Sequence, residues 1–406
     1  MVSGLSAGAA AMPAAAVRMA AVADPVIPQV GALMARRPDA LSLAQGMVGW
    51  APPEAVRQAV AAALSEAPRA LDRYGPVRGE EPLLEAVRRE LTEVRGLDLE
   101  GSDVLVTAGS NMAFSAIAQV LCDPGDEVLL PLPYYFNHAM AIRLAGGVPV
   151  PVEAGLGPDP DRLAEAITAR TRAIVTISPG NPSGLVTPPE LLEAINTLCA
   201  RHGLFHISDE AYAEFVHGPV PHRSPGRLSG SGAHTVSLFS LSKAYGMAGW
   251  RVGYAAVPRQ LLGPLTKVQD TVLICPCQVS QRAALAALEA GPAWCGPLIA
   301  ALGERRRQLL AAVSAAQRGG LPVELLGPPD GAFYGLLRFP TAPGGERLMQ
   351  RLVLDHGVAA LPGDSFGLPT AGGTGVLRIS YGMLGPAELE EALRRLFGGL
   401  AALAPG

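Results

Sequence analysis

Of the 32 basic residues in this 406-residue chain, only Lys243 and Lys267 are lysines, and the rest are arginine. A chain that uses arginine for positive charge keeps a lysine where an amine must lose its proton and attack a carbonyl. Lys243 sits in Ser240-Leu241-Ser242-Lys243-Ala244-Tyr245-Gly246-Met247-Ala248-Gly249-Trp250-Arg251-Val252-Gly253-Tyr254. Glycines there let the backbone approach a ligand, the hydroxyls of Ser240 and Ser242 donate to phosphate oxygens, and Arg251 grips phosphate in a forked pair. Together they describe a phosphorylated carbonyl compound held beside an amine. Lys267, in Gly263-Pro264-Leu265-Thr266-Lys267, has no such surroundings and reads as a solvated charge on a helix.

The Ser-x-Ser-Lys run followed by Gly-Trp-Arg-Val-Gly resembles the lysine segment of fold-type I pyridoxal-phosphate aminotransferases of classes I and II. The resemblance implies that Lys243 forms a Schiff base with pyridoxal 5'-phosphate, with Ser240, Ser242 and Arg251 around the phosphate. It spans about Asp24 to Phe397. Cys275-Pro276-Cys277-Gln278 resembles the Cys-Pro-x-Gln helix start of the kynurenine and glutamine transaminase branch.

The elements that must position these groups can be read in order. The β-branched or apolar runs at Val104–Thr107, Asp126–Leu130, Ala173–Ile177, Leu204–Ser208, Thr235–Phe239 and Val252–Val257 alternate with helical patterns, which predicts an α/β domain with a mostly parallel sheet of the seven-stranded type between helices. Gly109-Ser110-Asn111 joins a strand to a helix start, and the free N–H groups of such a turn cradle an anion. Asn181 lies in Ser178-Pro179-Gly180-Asn181-Pro182 and Asp209 ends the strand before Tyr212, both at carboxyl ends of strands, where open α/β sheets bind ligands.

By resemblance, Asn181 and Tyr212 take the cofactor's phenolic oxygen and Tyr135 stacks on its ring. Asp209 keeps the pyridine nitrogen protonated, an assignment chemistry supports as well. Arg378, in Leu377-Arg378-Ile379-Ser380, binds the substrate's α-carboxylate with the backbone at Gly46, and Asn181 borders that substrate site too. Tyr74 reaches the phosphate of the neighbouring subunit, so the resemblance implies a homodimer with shared active sites. The expected layout is an N-terminal arm over 1–23, a small α+β domain from 24–60 and 295–406, and the large cofactor domain over 61–294.

The net charge of −4 offers no footprint for nucleic acid, and no apolar run reads as long enough to span a bilayer. Five cysteines, few and odd in number, argue against a disulfide framework and for a cytoplasmic setting. His217, His222 and His234 lack metal-ligand spacing and read as surface-loop residues, with Glu210 structural and no metal expected. A neutral or aromatic substrate is favoured, although Arg282 or Arg338 could mark a dicarboxylate. The expected reaction moves an amino group between an L-amino acid and a 2-oxo acid. The alternative is a β/γ-elimination, replacement or cyclising enzyme of specialised biosynthesis on the same fold, since the cofactor's chemistry branches after the α-proton leaves.

Overall fold

The computed structural model describes residues 14–66, 68–341 and 344–404, so the predicted arm lies outside the described residues up to position 13. Residues Val17–Ala21 form an exposed 3₁₀ turn.

Seven strands form the central sheet: β1 (Ser102–Thr107), β2 (Glu127–Pro131), β3 (Val148–Val152), β4 (Thr171–Ile177), β5 (Phe205–Asp209), β6 (Thr235–Ser240) and β7 (Gly253–Pro258). Their spatial order is β1-β7-β6-β5-β4-β2-β3. All neighbours run parallel except β7, which is antiparallel to both β1 and β6. β6 and β7 are buried along their whole length, which is why they read as apolar and hydroxyl runs free of charged residues. Helices cover the sheet on both sides, among them α1 (Ser110–Leu121) and α2 (Phe136–Leu144).

A second sheet is antiparallel. Its strands are β8 (Glu324–Leu325), β9 (Tyr334–Pro340), β10 (Leu361–Pro362) and β11 (Thr374–Ser380), in the order β10-β11-β9-β8. Leu41–Ser42 pairs in parallel with Val358–Ala359, so the N-terminal segment is stitched to the C-terminal part of the chain. Arg378 on β11 and Tyr334 on β9 thereby reach the carboxyl ends of the central strands.

Two helical elements carry local irregularities. Residues Gln278–Arg318 form two helical stretches that meet at Gly291 and are together called α3. It bends at Gly291, whose φ of 68° and ψ of −179° precede Pro292, a residue that cannot donate within a helix. Its apolar stretch is long enough to cross a membrane by length and hydropathy. The expectation that no apolar run is long enough to span a bilayer is thus corrected on length and hydropathy alone; α3 packs against the helices Glu54–Glu66, Glu81–Arg89 and Pro386–Leu403, with 33% of that stretch buried. The helix Glu81–Arg89 closes as a π-turn over Glu90–Val94.

Candidate active site

The carboxyl ends of β4, β5 and β6 and the N-terminus of α1 meet at a cavity. Ten of the fourteen predicted site residues line it: Ser110, Asn111, Tyr135, Asn181, Asp209, Tyr212, Ser240, Ser242, Lys243 and Arg251. Gly46, Gly109 and Arg378 join through contacts to those residues. Tyr74 does not, because it stands 80% exposed outside the cavity of its own chain.

One end of the cavity is built for an anion. Arg251 donates to the Ala248 carbonyl at 2.9 Å and the Ala108 carbonyl at 3.3 Å, and it has no carboxylate partner among the described residues. Gly109 holds a φ of +85°, and a Cβ there would sit 2.7 Å from the Arg251 guanidinium. The positive φ favours glycine, and any side chain there would displace the Arg251 guanidinium. The free N–H groups opening α1 and the Ser240 and Ser242 hydroxyls complete a cradle with an unpaired cation beside it.

Lys243 follows β6 and faces the middle of the cavity. Burial, then the Arg378 and Arg251 charges, push its amine down to about 8, against a partly compensating pull from Asp209. Protein surrounds the amine, which still keeps partial access to the cavity. Its Nζ donates to the Gly46 carbonyl at 2.5 Å. That loop is anchored by the Trp50 indole, which donates to the Ala244 carbonyl at 3.0 Å.

Asp209 is buried, and its Oδ2 lies 3.1 Å from Nε2 of His138, which α2 carries into the core against the Phe114 ring. Its Oδ1 accepts from the Ala211 N–H at 3.1 Å. A buried carboxylate held by two donors and facing the cavity is suited to a cationic ring nitrogen.

At the other end Arg378 is 2% exposed and has no carboxylate partner among the described residues. It donates to Asn181 Oδ1 at 2.9 Å and to the Ala44 carbonyl, while its Nε is buried with no partner. The guanidinium lies between the Tyr334 and Phe366 rings, 4.5 and 5.1 Å from their centroids. A buried cation without its anion is costly, so this arrangement calls for a carboxylate from outside.

Sequence reasoning missed two residues here. No role for His138 is read from the sequence, although its place in the first turn of α2, three residues after Tyr135, is the available signal. Tyr334 is given no role from the sequence either, yet its hydroxyl lies 2.7 Å from that of Tyr212. The histidine expectation is corrected: His222 is 6% exposed in its side chain and bonds to Glu210 at 3.0 Å, and His217 and His234 bond to the Ala332 carbonyl and Asn196 Oδ1. All three are half-buried loop residues held by hydrogen bonds. Glu210 is structural as expected, accepting from His222 and Ser224. Arg338 points outward to Glu324, and Arg282 lines a surface groove against the helix Glu54–Glu66, so neither reaches the cavity. Lys267 is exposed on the helix Arg259–Leu273. No cluster of metal-ligating side chains occurs among the described residues.

A seven-stranded α/β sheet with a depressed lysine amine between an anion cradle and a buried acid defines an enzyme that holds a phosphorylated carbonyl cofactor. The donor set fits pyridoxal phosphate: the unpaired Arg251 at the α1 N-terminus suits the phosphate, Lys243 the aldehyde and Asp209 the ring nitrogen. Residues 38–396 match the family model described as aminotransferase class I and II. The chain is 34% identical over 390 residues to the aromatic aminotransferase ISS1 of Arabidopsis thaliana, covering 93% of this chain and 94% of that one. It is 36% identical over 365 residues to a probable aspartate/prephenate aminotransferase of Thermus aquaticus, covering 88% and 90%. The solved aspartate aminotransferase of Thermus thermophilus with maleate superposes at a TM-score of 0.85 with 34% identity, over 96% of this chain and all of that one. The chain belongs to the class I and II aminotransferases, and it is a pyridoxal-phosphate-dependent enzyme of amino-group transfer.

Proposed function

We propose that the donor is a neutral or aromatic L-amino acid and the acceptor a 2-oxo acid, with Lys243 as the covalent anchor of the cofactor and the group that moves the α-proton. The observation that carries this reading is the pair of guanidiniums without carboxylates, Arg251 and Arg378, on either side of the Lys243 amine. One suits the cofactor's phosphate and the other the substrate's carboxylate. Among the described residues of one chain, Lys243 and Arg251 are the only Lys or Arg side chains lining the cavity and Arg378 the one that borders it through Asn181, so a single chain brings no further Lys or Arg to a second carboxylate.

When bound, pyridoxal phosphate supplies an aldehyde for the substrate's amine and a ring that draws electrons from the α-carbon. Arg378 and the backbone near Gly46 orient the carboxylate, which sets the α-hydrogen toward Lys243. The amine, depressed to about 8, is free in a useful fraction near neutral pH and takes that proton as a general base. Asp209, fixed by His138 and the Ala211 N–H, holds a proton on the ring nitrogen. Tyr212 and Asn181 would face the phenolic oxygen. Ser110, Asn111, Ser240 and Ser242 would complete the phosphate site, and Tyr135 would cover the ring.

The shared-site dimer is part of the same proposal. Tyr74 stands exposed next to Gly75, whose N–H donates to Cys275 Sγ at 3.3 Å, and the apolar Val272 and Ile274 are exposed on that same segment. A second copy would cover them and receive Tyr74. The Cys275–Gln278 likeness to kynurenine and glutamine transaminases is carried by this turn, whose visible task is to hold Gly75, so it supports the dimer loop more than a substrate. All five cysteines are free, in keeping with a reducing cytoplasm.

The test is covalent trapping. Borohydride reduction of the yellow holoenzyme followed by peptide mass analysis is expected to place the cofactor on Lys243, and Lys243→Ala to lose that adduct. An adduct on Lys267, or one surviving in the variant, would overturn the reading.

A further inference from the structure

We propose that Tyr334 is a positioning residue that orients the Tyr212 hydroxyl toward the cofactor and ties that orientation to carboxylate binding at Arg378. The inference rests on the reading of Tyr212 given above.

Tyr334 is fully buried on β9, and its hydroxyl meets that of Tyr212 at 2.7 Å, with the rings edge to face. Tyr212 is itself buried, and Asn181 Nδ2 approaches its oxygen at 3.5 Å. Burial raises both phenols, Tyr334 to about 12 and Tyr212 well above the ordinary phenol value, so each keeps its proton at neutral pH. Two neutral hydroxyls in contact place one hydrogen between them. The hydroxyl of Tyr334 has Tyr212 as its hydrogen-bond partner among the described residues, so its proton goes there. The Tyr212 proton is then left to point into the cavity, where Tyr212 lines the wall. Donation by Tyr334 also polarises the Tyr212 hydroxyl and makes it the better donor.

The same ring covers the carboxylate site. The guanidinium of Arg378 lies 4.5 Å from its centroid and donates to Asn181 Oδ1 at 2.9 Å, closing a circuit of Tyr334, Tyr212, Asn181 and Arg378. Gly46 gives way to the same residue: a Cβ there would lie 2.1 Å from the Tyr334 hydroxyl. One side chain thus touches the groups facing the phenolic oxygen, the carboxylate and the loop carrying the Gly46 carbonyl.

The experiment titrates the colour of the bound cofactor against pH in the holoenzyme and in Y334F, Y212F and the double variant. Loss of the Tyr334 donor is expected to move the colour transition upward by about half to one pH unit. Y212F is expected to move it further, and the double variant to match Y212F alone. Y334F keeps the ring over Arg378, so KM for the amino acid stays near native while kcat falls about three- to tenfold. Y334L removes the ring as well, and KM rises. If Y212F moves the transition and Y334F leaves it in place, the role given to Tyr334 is wrong. If neither variant moves it, the reading of Tyr212 fails as well. Circular dichroism and thermal melting of each variant show that a shift comes from a folded protein.

Discussion

A chain with two lysines permits a direct test of the Lys243 amine. Take the cofactor-free enzyme and raise the pH from 7 to 9 while labelling amines with a trace of an acylating reagent, reading both lysine peptides by mass spectrometry. Burial and the Arg378 and Arg251 charges hold the amine at about 8. The unprotonated fraction is then about one in ten at pH 7, half at pH 8 and about nine in ten at pH 9. Labelling of Lys243 should therefore climb about tenfold and level off, with its midpoint near 8. An amine at the ordinary 10.5 would climb about a hundredfold across the same range and show no plateau. The exposed Lys267 peptide normalises for reagent reactivity. Labelling of Lys243 that keeps rising steeply through pH 9 would refute the electrostatic argument and, with it, the use of this amine as a base near neutral pH.

Three further outcomes follow from the same geometry. Arg378→Leu should lower kcat/KM for amino acids by about 10²- to 10³-fold, because a buried forked partner for the carboxylate is lost. Initial rates on an amine lacking the carboxylate should hardly change, and equal losses on both would contradict the role. Gly109→Ala places a Cβ 2.7 Å from the Arg251 guanidinium on a backbone with φ of +85°, so cofactor affinity should fall about tenfold in a fluorescence titration. An unchanged affinity would show that Arg251 does not hold the phosphate. Lys243→Met should stabilise the cofactor-free protein at pH 7 by about 1–3 kcal/mol in denaturant melts. The sign follows from the depressed amine: below about 8 the folded state carries the full penalty of the buried charge, and the penalty fades as pH rises toward 10.5. A gain that persists above that pH would assign the effect to packing.

Much of the site was legible because its parts lie at strand ends, where a local run of sequence carries its own position. Asp209 closes β5, Asn181 follows β4, and Lys243 follows β6, so each could be placed from a β-branched run and the turn after it. The sheet itself was readable from runs such as Thr235–Phe239, whose freedom from charged residues signals burial on both faces. What stayed hidden depends on pairs distant in sequence. Tyr212 and Tyr334 are 122 positions apart, and no local pattern joins them. The bond between His138 and Asp209 requires α2 to turn a polar ring inward, against the usual reading of a histidine on a helix. The histidines of the 217–234 segment looked solvent-facing because loop composition says nothing of what a loop packs against. The bend of α3 at Gly291 had its glycine and prolines in view, but whether such a sequence ends a helix or kinks it is settled by the helices that pack on both sides.

The most direct measurement of amino-group transfer at this site is a half-reaction. The holoenzyme is mixed with single amino acids from a panel, no 2-oxo acid is added, and the released product is identified and counted by mass. One equivalent of the matching 2-oxo acid per site, with turnover resuming only when a second 2-oxo acid is supplied, is the predicted result, strongest with a neutral or aromatic donor. Continuous turnover without an acceptor, or a product that is not the corresponding 2-oxo acid, would contradict it.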